Sequence, residues 1–288
     1  MAQDAAGGAS IRFHGQLSDR AREILDGSEP PAVPRDAATV MLLRPGPGLA
    51  AGGLEVYMLR RQPTMAFAPG AFVFPGGSVD ARDADEEVAW AGPGAAEWGE
   101  IFEAPPELAR ALVCAAVRET FEESGVLLAG PSADSVVADT TSQDWEDDRH
   151  ALLDRSLSLA ELLSRRALVL RADLLRPWSR WITPAVEPRR FDARFFAAAL
   201  PPGQRTRDVG GEASAVTWIT PAAAIEAGRR QEITLWPPTA VSLAELAACG
   251  DLDTALAGPR QVVPRIPEVL IREGATWLTV PGVPEYPI

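Results

Sequence analysis

Arg118-Glu119-Thr120-Phe121-Glu122-Glu123-Ser124-Gly125-Val126 sets three carboxylates at relative positions 0, +3 and +4. That spacing lines one face of a helix, where residues three and four apart are neighbours. Crowded carboxylates repel unless a cation neutralises them, and their oxygens suit the hard ions Mg²⁺ and Mn²⁺. A solvated acidic helix end is the plainer reading of an isolated trio. The surroundings decide against it. The helix runs back to Pro106, with proline in its first turn and small or apolar residues through Leu112-Val113-Cys114-Ala115-Ala116-Val117. Gly125 is the residue type that takes the left-handed stop conformation, and Val126-Leu127-Leu128 then resumes an apolar core segment. The acids therefore stand in the last turn, where the helix dipole disfavours negative charge, and three of them there ask for a compensating cation.

Upstream, Gly70-Ala71-Phe72-Val73-Phe74-Pro75-Gly76-Gly77 is an apolar strand-like run ending in a turn that lets the backbone approach a ligand closely. With both stretches in view the chain resembles the Nudix hydrolases. Their box reads Gly, five residues, Glu, seven residues, then Arg-Glu-apolar-any-Glu-Glu-any-Gly-apolar. The second half is matched from Arg118 to Val126, with Thr120 where an aliphatic residue is usual. In the first half, Gly77 precedes Arg118 by 41 positions where the box has 14, so about 27 residues are added, and Arg110 holds the place counted back for the first Glu.

The resemblance implies an α+β fold, the Nudix α/β/α sandwich on a mixed sheet, with an insertion inside the box and extra helices. It implies a magnesium or manganese site whose ligands are Glu119, Glu122, Glu123 and the Gly77 carbonyl, the glutamates serving catalysis as well. Arg61, Gly76 and Arg118 join them as binding residues, Arg118 by orienting the carboxylates through charged hydrogen bonds. Family members often take a general base from outside the box. Glu212, in Val209-Gly210-Gly211-Glu212, is the candidate, an exposed loop acid being the alternative.

The added segment, 78–105, is acidic and rich in Ala, Gly and Pro, with Trp90, Trp98 and Phe102 as its aromatic residues. It reads as an excursion loop, either a mobile decoration or a lid. Residues 1–35 read as a flexible leader with a short helix over 17–25, and 36–245 as the Nudix domain. Helices at 142–166, the second opened by the capping pattern Ser158-Leu159-Ala160-Glu161, lie outside the minimal fold. They would cover the core or pair two copies as a homodimer. Residues 246–288 read as an extension packed on the domain.

Two strands flank a Gly/Pro-rich connection, Ala38 to Leu43 and Leu54 to Leu59, and predict an antiparallel hairpin. Trp-Ile-Thr-Pro occurs at Trp181 and again at Trp218, each time ending a strand, the second with Thr220 capping and Pro221 starting a helix. Arg189 to Leu200 reads as another core strand. The segment from Trp181 through Arg189-Arg190-Phe191-Asp192-Ala193-Arg194-Phe195-Phe196 is similar to a longer Nudix subgroup that includes the peroxisomal coenzyme A diphosphatase. Of the extra coenzyme A signature of that subgroup, Arg61 and Gly70 fit, whereas Ala66 stands in place of an arginine.

A net charge of −13 over 288 residues opposes binding to long nucleic acid, which needs a basic surface. No apolar run is long enough to span a bilayer and no signal peptide opens the chain, so a cytoplasmic protein without membrane association is expected. Two cysteines and two histidines, His14 and His150, do not make a disulfide framework or a histidine metal site, so carboxylates carry the chemistry. The function expected is metal-dependent hydrolysis of a diphosphate bond in a small nucleoside diphosphate derivative, coenzyme A being the first guess. The alternative is a Nudix-fold module that binds a nucleotide metabolite without cleaving it.

Overall fold

The computed structural model describes residues 9–13, 19–46, 53–65, 68–85, 87–207, 213–258, 260–272, 275–281, 283 and 287. Its first half runs β1 (Ala9–Phe13), α1 (Asp19–Asp26), β2 (Arg35–Pro45), β3 (Leu54–Arg61), β4 (Phe72–Val73), β5 (Gly76–Ser78), a 3₁₀ turn at Ala81–Ala84, β6 (Trp90–Ala91), α2 (Ala95–Phe102) and α3 (Pro106–Ser124). There follow β7 (Ala129–Gly130), α4 (Gln143–Leu153), α5 (Leu159–Arg165), β8 (Val169–Arg171), β9 (Arg176–Ile182), β10 (Phe191–Ala199) and β11 (Ala213–Ile219). The chain closes with α6 (Pro221–Arg229), α7 (Pro237–Cys249), α8 (Leu252–Leu256), β12 (Pro264–Arg265), β13 (Glu268–Arg272) and β14 (Ala275–Val280).

The main sheet has the order β11-β3-β2-β10-β9-β12 and is mixed, because β10 runs parallel to β2 while β3 pairs with β2 antiparallel. β2 and β3 stay paired only over Leu43–Pro45 and Leu54–Val56. Beyond that β4 pairs with β3 and β5 with β2. The Phe72–Ser78 run thus crosses from β3 to β2. Successive residues of a strand face opposite sides of a sheet, and an apolar run without alternation marks a strand covered on both. Accordingly Val40 and Leu42 enter one core with α2 and α3, whereas Met41 and Leu43 enter a second with α6 and α7. This is the expected α/β/α sandwich.

Two regions differ from the sequence reading. The segment 78–105 is folded: Trp98 and Phe102 on α2 are each 1% exposed, stack with centroids 5.4 Å apart, and both meet Phe196 of β10 edge-on. Its small residues gave no pattern, but two large aromatics one helical turn apart suffice to bury α2 on the sheet. Within the stretch expected to be a flexible leader, β1 pairs antiparallel with β14, which also pairs with β13. The added helices α4 and α5 cover the α3 core through Trp145, Leu152, Leu159, Leu162 and Leu163.

Candidate metal centre

α3 ends where its sequence says it should, Gly125 standing at φ 74° with its N–H on the Phe121 carbonyl. Thr120 fills the usual aliphatic position because its hydroxyl donates to the Ala116 carbonyl at 2.7 Å, which satisfies the buried oxygen inside the helix. The last turn lies against β5. The Gly76 N–H donates to Glu123 Oε2 at 2.8 Å. A Cβ at Gly77 would fall on the Glu119 carboxylate, 2.6 Å from its Cδ, so only glycine allows that approach.

Arg118 holds the acids together. Its Nη1 donates to Glu119 Oε1 at 2.7 Å and lies 3.4 Å from Glu122 Oε1. Its Nε and Nη2 donate to the two oxygens of Asp83 at 3.0 and 2.9 Å, and Nη2 reaches the Ser78 carbonyl at 2.9 Å. Asp83, 3% exposed, is fixed in turn by the Asp80 N–H at 2.8 Å.

The sequence reading missed Asp83, and the backward count to Arg110 was misdirected. Arg110 stacks on Trp90, its Cζ 5.1 Å from the ring centroid. Counted forward from Gly77, five residues end at Arg82 and the acidic place of the box falls on Asp83. The added residues therefore lie after this acid. A forward count from the glycine was the signal that would have found it.

Burial raises the pKa of Glu119 above the ordinary carboxylate value, with Glu122 adding to the rise and Arg118 opposing it. Burial raises Glu122 too, again against Arg118. Buried carboxylates that resist ionisation gain most from a nearby cation. Among the described residues no three acids stand gathered around one point for an ion, Arg118 lying among Asp83, Glu119 and Glu122. The donor set of carboxylate oxygens, with the Gly77 backbone alongside, nevertheless fits a hard divalent cation.

A cavity of about 1700 Å³ joins these residues, with Arg61, Gly76, Gly77, Arg118, Glu119, Glu122 and Glu123 all on its wall. Arg189 lines it as well. Arg190 instead donates to the Ala32 and Thr183 carbonyls, and Arg194 is buried against Asp36 and Asp192. Glu212 and Ala66 lie outside the described residues; Ala213, next to Glu212, pairs with Arg61. Cys114 is buried, its thiol pushed up to about 12 by desolvation, and is chemically inert. Among the described residues no helix is long and apolar enough to cross a membrane.

Residues 94–246, more than half of the chain, match the family described as the NUDT19 Nudix domain. The chain is a Nudix hydrolase. It is 29% identical over 267 residues to the acyl-coenzyme A diphosphatase NUDT19 of Gallus gallus, covering 76% of this chain and 69% of that protein. To the protein of the same name from Homo sapiens it is 29% identical over 248 residues, 71% of this chain and 62% of the human one. A crystal structure of a Nudix hydrolase from Alicyclobacillus acidocaldarius superposes with a TM-score of 0.67 at 29% identity, over 81% of this chain and 99% of that one. Nudix hydrolases in general work with divalent metal, in keeping with the oxygen donors of this box.

Proposed function

We propose that this Nudix hydrolase cleaves the diphosphate of coenzyme A or an acyl-coenzyme A, with Mg²⁺ or Mn²⁺ held by Glu119, Glu122, Glu123 and the Gly77 carbonyl. The observation that carries the reading is the meeting of Gly76-Gly77 with the acidic last turn of α3 on the wall of one large cavity. The names of the chicken and human relatives support the substrate class. Part of the cavity wall is apolar, with Trp181, Val186, Phe191, Leu235, Val269 and Leu278 among its lining residues, which suits a pantetheine or acyl arm.

When bound, the cation neutralises the non-bridging phosphate oxygens and activates water. The chain's own part is to hold charge and shape. Arg118 fixes the carboxylates of Glu119 and Glu122, Asp83 fixes Arg118, and the glycines let the diphosphate reach the backbone of β5. Glu212 is our candidate for the base that takes the proton of the attacking water. A cytoplasmic enzyme acting on soluble metabolites is part of the same reading.

The test is phosphate-product release with Mg²⁺ or Mn²⁺ across coenzyme A, acyl-coenzyme A, dinucleotides, nucleotide sugars and nucleoside triphosphates. Turnover is expected with coenzyme A or its thioesters, and activity confined to another class would reject the substrate assignment.

A further inference from the structure

The helix α4 lies outside the minimal fold, and what it grips is the end of α3. Arg149, 1% exposed, donates from Nη1 to the main-chain oxygen of Glu122 at 3.0 Å. Its Nε reaches Glu146 Oε1 at 2.9 Å, and Nη2 bonds the same oxygen. The other oxygen of Glu146 accepts from Arg207 Nη2 at 2.9 Å. Arg207 Nη1 lies 3.4 Å from the Gly125 carbonyl, while its own N–H donates to the Ser124 carbonyl at 3.2 Å. Arg207 is tied to the sheet in turn, its carbonyl accepting from the Tyr57 hydroxyl at 3.1 Å.

A helix leaves its last carbonyls without partners inside the helix. Here the Glu122 carbonyl is taken by Arg149, that of Ser124 by the Arg207 main-chain N–H, and that of Gly125 by the Thr140 hydroxyl at 2.6 Å with Arg207 Nη1 farther off. Glycine alone suffices to stop a helix, so a buried guanidinium is a costly addition. Its position gives it a use. The peptide oxygen that Arg149 holds belongs to Glu122, the middle acid of the trio, and any rotation of this turn moves the carboxylates relative to Gly76 and Gly77. Both guanidinium groups also stand behind the helix end, where positive charge is favourable to the dipole beneath three acids.

We infer that Arg149, locked by Glu146 and Arg207, is a positioning residue that fixes the geometry in which Glu119, Glu122 and Glu123 take up a cation. The inference rests on the metal reading proposed above. It gives the added helix α4 a role in the active site that the box motif does not contain.

The test uses the full chain and Mn²⁺ itself as probe, with free Mn²⁺ counted by electron paramagnetic resonance, beside kcat, KM and circular dichroism melting. Arg149→Met is expected to weaken Mn²⁺ binding by about 10- to 100-fold, the usual range for residues that orient metal ligands, and to lower kcat more than it raises KM. Arg149→Lys, which keeps the charge and loses the fork, should recover part of both. Arg207→Met, at a partly exposed position, should weaken Mn²⁺ in the same sense. A merely structural role would lower the melting temperature and leave Mn²⁺ affinity of the folded protein untouched, and that result would overturn the inference. Should Arg149→Met not fold, wild-type Mn²⁺ affinity in both Arg149→Lys and Arg207→Met would overturn it equally. A wild-type protein that binds no Mn²⁺ would remove the metal reading itself, and the inference with it.

Discussion

Asp83 and Arg118 stand 35 positions apart and form a two-pronged pair at 3.0 and 2.9 Å. Removing one partner of such a buried pair leaves the other charge uncompensated, and here the nearest carboxylates left to Arg118 are Glu119 and Glu122. Asp83→Asn should therefore lower kcat/KM by roughly 10- to 100-fold through misdirected carboxylates, with Asp83→Glu retaining more; steady-state kinetics of the two variants decides this, and wild-type rates in Asp83→Asn would refute it. Glu122→Gln and Glu123→Gln keep the shape and remove a charge, so both should fold and lose most metal-dependent hydrolysis. Near-normal turnover in both would sink the metal assignment. At this scale the sequence was informative wherever chemistry repeats a spacing: the shared face of the acids at 119, 122 and 123 and the stop at Gly125 follow from helix geometry, whereas Gly77 beside them was implied by the Nudix resemblance and is found there. Asp83 escapes a count made backward from Arg118, because the added residues lie after this acid; a count forward from Gly77 reaches it, and the fold confirms the forward count by pairing Asp83 with Arg118.

Elements with a period were readable and those without were not. β2, β3, β10 and α3 are long enough to show a continuous apolar run or a helical face. α2 is eight residues, barely two turns, and β6 has two residues, too few for any pattern. Yet α2 matters to stability. Trp98 and Phe102 close the core over Phe196, and Trp98→Ala should cost about 3–5 kcal/mol, seen as a lower urea midpoint; a loss below about 1 kcal/mol would return the segment to the status of a surface loop. On α4, Glu146 is held down from 4.5 to about 2, first by its hydrogen bond to Arg149 and, against the opposing effect of burial, also by that to Arg207. A carboxylate depressed in the folded state contributes stability above its unfolded pKa and loses it as pH falls through the folded value. The melting temperature should accordingly fall on acidification from about pH 4.5 towards pH 2, and Glu146→Gln should flatten that part of the profile. An unchanged acid limb in the variant would show that the Glu146 pairs contribute nothing.

Over the whole molecule, 27 basic residues face 40 acidic ones, yet several arginines, Arg61 and Arg189 among them, line the same cavity as the glutamates. Net charge argues against long polyanions and cannot reveal this local arrangement, because it depends on which strands the fold sets side by side. Strand β1 pairs with β14 across almost the full length of the chain, a pairing no local pattern announces. A cation binding only the folded state should stabilise it by about 3 kcal/mol at a hundredfold excess over its Kd; no rise in melting temperature with Mg²⁺ or Mn²⁺ would contradict such binding. The substrate question turns on Arg61, which ends β3 opposite Ala213 and lines the same cavity as Glu119. Coenzyme A carries one phosphate beyond its diphosphate, and the dephospho form lacks it. If Arg61 meets that phosphate, a charged hydrogen bond of about 1.5–3 kcal/mol is at stake, roughly a ten- to hundredfold change in binding. Arg61→Ala should then raise KM for coenzyme A by that factor while leaving KM for dephospho-coenzyme A nearly unchanged, since a lost contact counts only where its partner exists. Equal rises on the two substrates would assign Arg61 to the shared diphosphate, and no rise on either would remove it from the substrate altogether.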